Sequence, residues 1–223
     1  QVEMIAAARE QGLLVYPLAP ELGAILREID AGNAVLVMQN LAFDWYPQWH
    51  YAVVVGYDLN TRDLILHSGL NARQRESFAL FLRTWQRANS WAVVAVPADR
   101  IPATAEPLPY LKAAADLEQV GQTTSAEAAY RQASERWSDQ PAPLLGLGNI
   151  AWSSGRHSEA LEHFSELVRR FPDYQAGLNN LATGMEELGC TEAAEQVRAC
   201  AANHSQNGIH VGADAACTIP VCR

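Results

Sequence analysis

A histidine, His50, stands just before an apolar run that ends in a glycine and an aspartate. Residues 53–55 are all valine, whose β-branched side chains favour a pleated strand, and Gly56 and Asp58 would end that strand. Such a run predicts a strand at the centre of a sheet, buried on both faces. We therefore expect His50 at the rim of a rigid element, where an imidazole can act as a general base. The alternative is a strand-end histidine that only caps or fills space.

The segment that leads up to this histidine is rich in aromatic residues. Residues 41–48 connect it to an earlier apolar run, residues 34–40, and carry Trp45 and Tyr46, with Trp49 directly after. A loop at the ends of two buried strands often forms the wall of a cleft. We therefore predict that these three aromatic side chains contact a substrate. The alternative is that they only cover the edge of the sheet.

The elements that would position these residues form an α+β domain with an antiparallel sheet. Helical spacing of apolar residues appears in three segments, residues 2–11, 20–31 and 76–87. Short apolar runs predict extended segments, residues 13–16, 34–40, 49–58, 63–68 and 91–96. A turn separates 49–58 from 63–68, so these two are predicted to pair as a hairpin.

Beyond this domain the sequence repeats with a period of 34 residues. Gly121, Gly155 and Gly189 share that spacing, as do alanines and large apolar residues between them. Small residues where helices cross, with large ones between, are typical of the tetratricopeptide repeat. We therefore predict three repeats over residues 109–203 that form an all-α solenoid with a groove for a protein or peptide partner. Exposed apolar faces of the end repeats would also allow a homo-oligomer.

The remaining segments lack either pattern. Residues 97–108 contain three prolines and are predicted to be a linker between the domain of residues 1–96 and the repeats. Residues 204–223 are rich in glycine, asparagine and alanine without a period, which predicts a tail. At the start, Met4, Ile5 and Ala8 already follow helical spacing without a preceding cap. We therefore expect the sequence to begin inside a helix of a longer precursor.

The charge balance excludes several partners. The 223 residues carry a net charge of -9, and the acidic excess falls after Arg100, with 15 acidic against 8 basic residues. This balance argues against nucleic acid or an anionic membrane, and it favours a basic partner. The sequence contains no run of 18 apolar residues, so we predict no membrane span. Lys112 is the only lysine, which makes a lysine nucleophile a poor hypothesis.

All four cysteines lie near the end of the sequence, at positions 190, 200, 217 and 222. An even number in a tail favours disulfides and an oxidising compartment, and the alternative is that the same four cysteines stay reduced in the cytosol. Cys190 and Cys200 would be about 15 Å apart along one helix, too far to bond each other. The later cysteines therefore either reach back to them or pair locally. Because the spacings match no zinc template and the histidines are scattered, we predict no metal and no cofactor.

Residues 49–58, Trp-His-Tyr-Ala-Val-Val-Val-Gly-Tyr-Asp, resemble the histidine segment of papain-like cysteine peptidases of the bacteriocin-processing, double-glycine type. The resemblance covers roughly residues 1–96 and implies a partial papain-like fold. In that family the histidine activates a cysteine, since the thiolate is the nucleophile, and His50 matches it. The fusion to repeats is similar to peptidase-like proteins of the bacterial cell envelope, which implies a periplasmic or envelope location.

Two catalytic positions of that family differ here. No cysteine precedes His50, so the nucleophile would lie upstream of Gln1, together with the glutamine of the oxyanion hole. Where the family has an acid on the next strand, this sequence has Ser68. A serine can accept a hydrogen bond from the imidazole, but it does not stabilise an imidazolium as a carboxylate does. The sequence therefore predicts either an inactive fragment of a peptidase, with His50 and Ser68 as catalytic positions, or a non-catalytic scaffold that binds peptides.

Overall fold

The fold is described from a computed structural model, which covers residues 1–206 and residue 222. The chain forms two compact units, residues 1–129 and residues 130–223. Their boundary falls inside one helix, α5 (Thr123–Arg136). The domain limits inferred from the sequence remain a prediction.

The first unit contains one antiparallel sheet with helices, which confirms the predicted α+β class with an antiparallel sheet. The strands lie in the order β1-β6-β2-β3-β4-β5. In chain order the elements are α1 (Val2–Glu10), β1 (Leu13–Pro17), α2 (Leu22–Asp30), β2 (Val35–Asn40), β3 (Trp49–Asp58), β4 (Asp63–Ser68), β5 (Asn71–Ser77), α3 (Phe78–Gln86), β6 (Ala92–Pro97) and α4 (Pro107–Gln119).

Strand β3 lies inside the sheet, between β2 and β4, but only one of its faces is buried. Ala52 and Val54 are fully enclosed, whereas Tyr51 and Val53, which point to the other face, are half-buried. The prediction of burial on both faces is therefore wrong. Residues 52–55 are all apolar, so the sequence shows no alternation of polar and apolar residues that would distinguish the buried face from the exposed one.

The helix predicted over residues 76–87 starts later than expected, because a strand precedes it. Strand β5 pairs with β4 at the edge of the sheet, and six of its seven residues are exposed. Its sequence, Asn-Ala-Arg-Gln-Arg-Glu-Ser, has no apolar face and thus no strand signal, and its charges suit an unpaired edge. Ser77 then caps α3 by accepting a hydrogen bond from the Leu80 amide.

The segment between β6 and α4, predicted to be a linker, is held against the sheet unit. Glu28 on α2 is fully buried and accepts hydrogen bonds from the Thr104 amide at 2.7 Å and the Thr104 hydroxyl at 2.6 Å. The Tyr16 hydroxyl donates to the Thr104 carbonyl and accepts from the Glu106 amide, each at 3.1 Å. These contacts fix where α4 begins.

Helix α4 packs against β1 within the same unit. Arg9 at the end of α1 forms an ion pair with Asp116 on α4. The Gln122 side chain donates to the Glu10 carbonyl at 3.0 Å. The first helix of the predicted repeats is thus integrated into the sheet unit.

The second unit is helical. After the end of α5 it contains α6 (Ala142–Ser153), α7 (His157–Arg170), α8 (Gln175–Glu187) and α9 (Thr191–Gln206). Gly155 and Gly189 follow α6 and α8 with φ angles of 75° and 84°, the left-handed conformation that ends helices and favours glycine. The predicted tail lies largely outside the described residues, apart from the end of α9 and Cys222.

Cys190, in the turn between α8 and α9, forms a disulfide with Cys222, with 5.6 Å between the two Cα atoms. Cys200 is also disulfide-bonded. The sequence left open whether Cys222 bonds an earlier cysteine or pairs locally with Cys217. The structure shows the first arrangement, a bond to Cys190.

Candidate functional site

His50 and Ser68 come together on neighbouring strands. Ser68 on β4 pairs in register with Ala52, two residues after His50 on β3, so both side chains lie on one face. The His50 Nε2 and Ser68 Oγ atoms are 2.7 Å apart, a hydrogen bond whose donor is set by the imidazole tautomer. The serine can therefore orient the half-buried imidazole. The catalytic role of the pair remains a prediction.

A buried polar cluster that the sequence analysis missed lies on the same face. Gln39 on β2 pairs in register with His50 and is 1% exposed. Its amide donates to Thr84 Oγ1 at 2.8 Å and to Glu76 Oε1 at 3.0 Å. Burial raises the pKa of Glu76, and the hydrogen bond from Gln39 opposes that shift. Gln39 lies on β2 and Glu76 on β5, with β3 and β4 between them in the sheet. Because the two side chains still meet, this face of the sheet is concave.

The aromatic segment before β3 is an ordered hairpin. The Leu41 amide donates to the Gln48 carbonyl at 2.9 Å, and the Tyr46 amide donates to the Phe43 carbonyl at 3.1 Å. Asn40, which is 1% exposed, supports the hairpin: its Oδ1 accepts from the amide of Gln48 at 2.9 Å. The backbone of this hairpin is thus fixed before any ligand binds.

The hairpin displays its aromatic side chains to solvent. Trp45 is 82% exposed and Tyr46 is 70% exposed, so neither covers the edge of the sheet. Trp49 is 53% exposed and neighbours His50 on β3, which directs the two side chains to opposite faces. The structure therefore does not place Trp49 on the face of the His50 and Ser68 pair. The proposed contact of the three aromatic residues with a substrate remains a prediction.

The second unit contains a groove of about 220 Å³ formed by α6, α7 and α8. Asn180 Nδ2 donates to Asn149 Oδ1 at 2.8 Å, which joins α8 to α6. Apolar surface is supplied by Trp152 and Phe164, and Gly184 leaves room for the indole: a Cβ there would lie 3.0 Å from Trp152. The groove therefore combines a polar amide pair with an apolar wall.

The helix pairs, the glycine turns and this groove agree with the comparison with known families. The family model of the tetratricopeptide repeat matches residues 111–175. This segment carries tetratricopeptide repeats. A search of curated proteins finds no significant match. The predicted tetratricopeptide repeats are therefore confirmed for residues 111–175, and the number of three repeats over residues 109–203 remains a prediction. The resemblance of residues 1–96 to a peptidase finds no support in the comparisons.

Among residues 1–206 and Cys222, no three histidine, cysteine, aspartate or glutamate side chains are arranged to hold a metal ion. Within the same described residues, no helix has the length and the apolar character needed to span a bilayer.

Proposed function

We propose that this chain is a protein-binding module whose repeats hold a peptide segment of a partner protein in the groove formed by α6, α7 and α8. The observation that carries the proposal is the Asn149 and Asn180 pair at the opening of an apolar groove. Stacked helical repeats bind partners through such concave surfaces.

The chemistry of the groove suits an extended peptide. The Asn149 to Asn180 hydrogen bond leaves amide donors and acceptor lone pairs free, and these match the alternating N–H and C=O groups of a peptide backbone. Beside them, the partly exposed indole of Trp152 offers an apolar contact for one side chain of the peptide. The excess of acidic residues after Arg100 favours a basic partner.

We expect the double substitution Asn149→Ala and Asn180→Ala to weaken peptide binding at least tenfold, about 1.4 kcal/mol. The measurement is calorimetric titration of the full chain with peptides selected from a random display library. Asn179→Ala is the matched control, because this asparagine also lies on α8 but accepts a hydrogen bond from Gln175 outside the groove. Equal affinities for the double variant and the control would refute the proposal.

A second candidate function is a thiol peptidase in residues 1–96, whose substrate the repeats deliver. The hydrogen bond of 2.7 Å between His50 and Ser68, together with the resemblance around His50, supports it. This candidate requires a cysteine nucleophile, which residues 1–96 do not contain, with His50 as its base. A periplasmic or envelope location belongs to this candidate, and the disulfides at Cys190 and Cys200 support an oxidising compartment.

For this second candidate we expect His50→Ala to lower peptide cleavage by about 100-fold or more, because the general base is lost. Ser68→Ala should lower it less, since the serine only orients the imidazole. The measurement is cleavage of a peptide pool by the full-length gene product. His67→Ala is the control, because that exposed histidine on β4 points to the opposite face. Unchanged turnover in His50→Ala would remove this candidate.

A further inference from the structure

A second groove, of about 530 Å³, lies in the first unit along one side of the aromatic hairpin. The hairpin and the start of β3 supply Asp44 and Trp49 to its lining. Helix α3 and the turn after it supply Arg83, Gln86, Arg87 and Asn89. The volume falls in the range of sites for small ligands. Neither His50 nor Ser68 belongs to the lining of this groove.

The walls of this groove are fixed from both sides. Asn40 holds the hairpin by accepting hydrogen bonds from the amides of Ala42, at 3.1 Å, and Gln48, at 2.9 Å. The Arg87 guanidinium, from the other wall, donates to the Ala42 carbonyl. A site whose walls are already ordered loses little conformational entropy when a ligand binds.

The polar side chains in the groove are available to a ligand. Asp44, Arg83, Gln86 and Asn89 are all exposed, and none of their side chains makes a hydrogen bond or an ion pair to the part of the chain that the structure describes. The guanidinium donates, the carboxylate accepts, and the two amides do both. The half-exposed indole of Trp49 lies among these groups.

We propose that this groove binds a neutral oligosaccharide. Each sugar hydroxyl both donates and accepts hydrogen bonds, so it needs the mixed set of donors and acceptors found here. The electron-rich face of the Trp49 indole attracts the polarised C–H groups of a pyranose ring.

Charge argues against the other classes of ligand. An acidic peptide would meet Asp44, and a basic one would meet Arg83 and Arg87. A lipid surface is disfavoured because Asp44 sits at the tip of the hairpin, between the aromatic residues that would enter the membrane.

The test is titration of the full chain with cellotetraose, maltotetraose and N,N′,N″,N‴-tetraacetylchitotetraose, monitored by tryptophan fluorescence and by saturation-transfer NMR. We expect saturable binding of at least one tetrasaccharide with a dissociation constant below about 10 mM. Trp49→Ala and Arg83→Ala should each weaken it at least tenfold. Leu59→Ala, an exposed apolar residue between β3 and β4 that does not line the groove, is the control and should change it less than twofold.

Two results would overturn the proposal. One is the absence of saturable binding of all three tetrasaccharides to the unmodified chain up to about 10 mM, and the other is binding that Trp49→Ala and Arg83→Ala leave unchanged. Binding of hexaglutamate or of phosphatidylglycerol vesicles in place of the sugars, lost in the same variants, would assign another ligand class and also overturn it. Circular dichroism melting curves establish that each variant is folded. The double variant Asn149→Ala and Asn180→Ala should bind sugar normally. A failure of peptide binding in the repeat groove would therefore leave the saccharide result unaffected.

Discussion

Replacing Glu28 with alanine is expected to lower the free energy of unfolding of the protein by about 3 to 5 kcal/mol. Both oxygens of this fully buried carboxylate accept hydrogen bonds, from Asn33 Nδ2 at 2.8 Å, the Ala103 amide at 3.2 Å, and the amide and hydroxyl of Thr104. Alanine would leave these donors without their acceptor in a site closed to water, as well as a cavity. The segment that leads into α4 would lose its attachment to α2.

Two further variants separate this mechanism from a general loss of packing. Glu28→Gln keeps the shape but turns one acceptor into a donor that faces other donors, so we expect a smaller loss, about 1 to 3 kcal/mol. Glu21→Ala is the matched control: this exposed glutamate directly precedes α2, and its ion pair with Arg27 contributes under about 1 kcal/mol. The measurement is urea unfolding combined with hydrogen exchange of the Ala103 and Thr104 amides. A loss below about 1 kcal/mol in Glu28→Ala, with slow exchange of both amides, would contradict the account.

The Glu28 contacts show a limit of sequence reasoning. Thr104 lies 76 residues after Glu28, and no local pattern connects them. A glutamate in an amphipathic helix is normally assigned to the solvent face. One signal was available: Glu28 follows Ile25 by three residues, which places it beside the apolar stripe of α2. A charged residue in that position indicates a buried partner without identifying it.

The candidate site could be predicted in part. The β3 and β4 hairpin follows from the turn between two apolar runs, and its pairing brings Ser68 next to the strand of His50. The alternation of side chains along β3 also predicts that Trp49 and His50 point to opposite faces. The wall that α3 contributes to the groove proposed to bind saccharide could not be predicted, because it depends on how that helix packs on the sheet.

The repeats were the most predictable part of the fold, because each position is constrained by its neighbours. Gly148 illustrates the constraint: a Cβ at this position would lie 2.3 Å from Phe164 Cε1 and 2.6 Å from its Cδ1. Glycine is therefore required by the close approach of α6 and α7. Phe164 is 2% exposed and packs in the core with Val168 and Leu178, so its ring has little freedom to move.

We accordingly expect Gly148→Ala to destabilise the protein by about 2 to 3 kcal/mol, because overpacking a core outweighs the gain in helix propensity of about 1 kcal/mol. Gly23→Ala on α2 is the matched control. There the nearest atom to the new Cβ is a guanidinium nitrogen of Arg27, at 3.5 Å, on a flexible exposed side chain. This control should leave stability unchanged or raise it by up to about 1 kcal/mol.

Urea unfolding of both glycine variants distinguishes overpacking of the core from the gain in helix propensity. Equal stabilities of the two variants would refute the packing argument.

The substitution Gly148→Ala also has a consequence for peptide binding. Phe164 also lines the repeat groove, so a ring displaced by the new methyl group changes the surface that we propose meets the peptide. Gly148→Ala should therefore weaken peptide binding even where the variant is fully folded, whereas Gly23→Ala should not. Stability of the repeat and recognition of its partner thus depend on the same contact between α6 and α7.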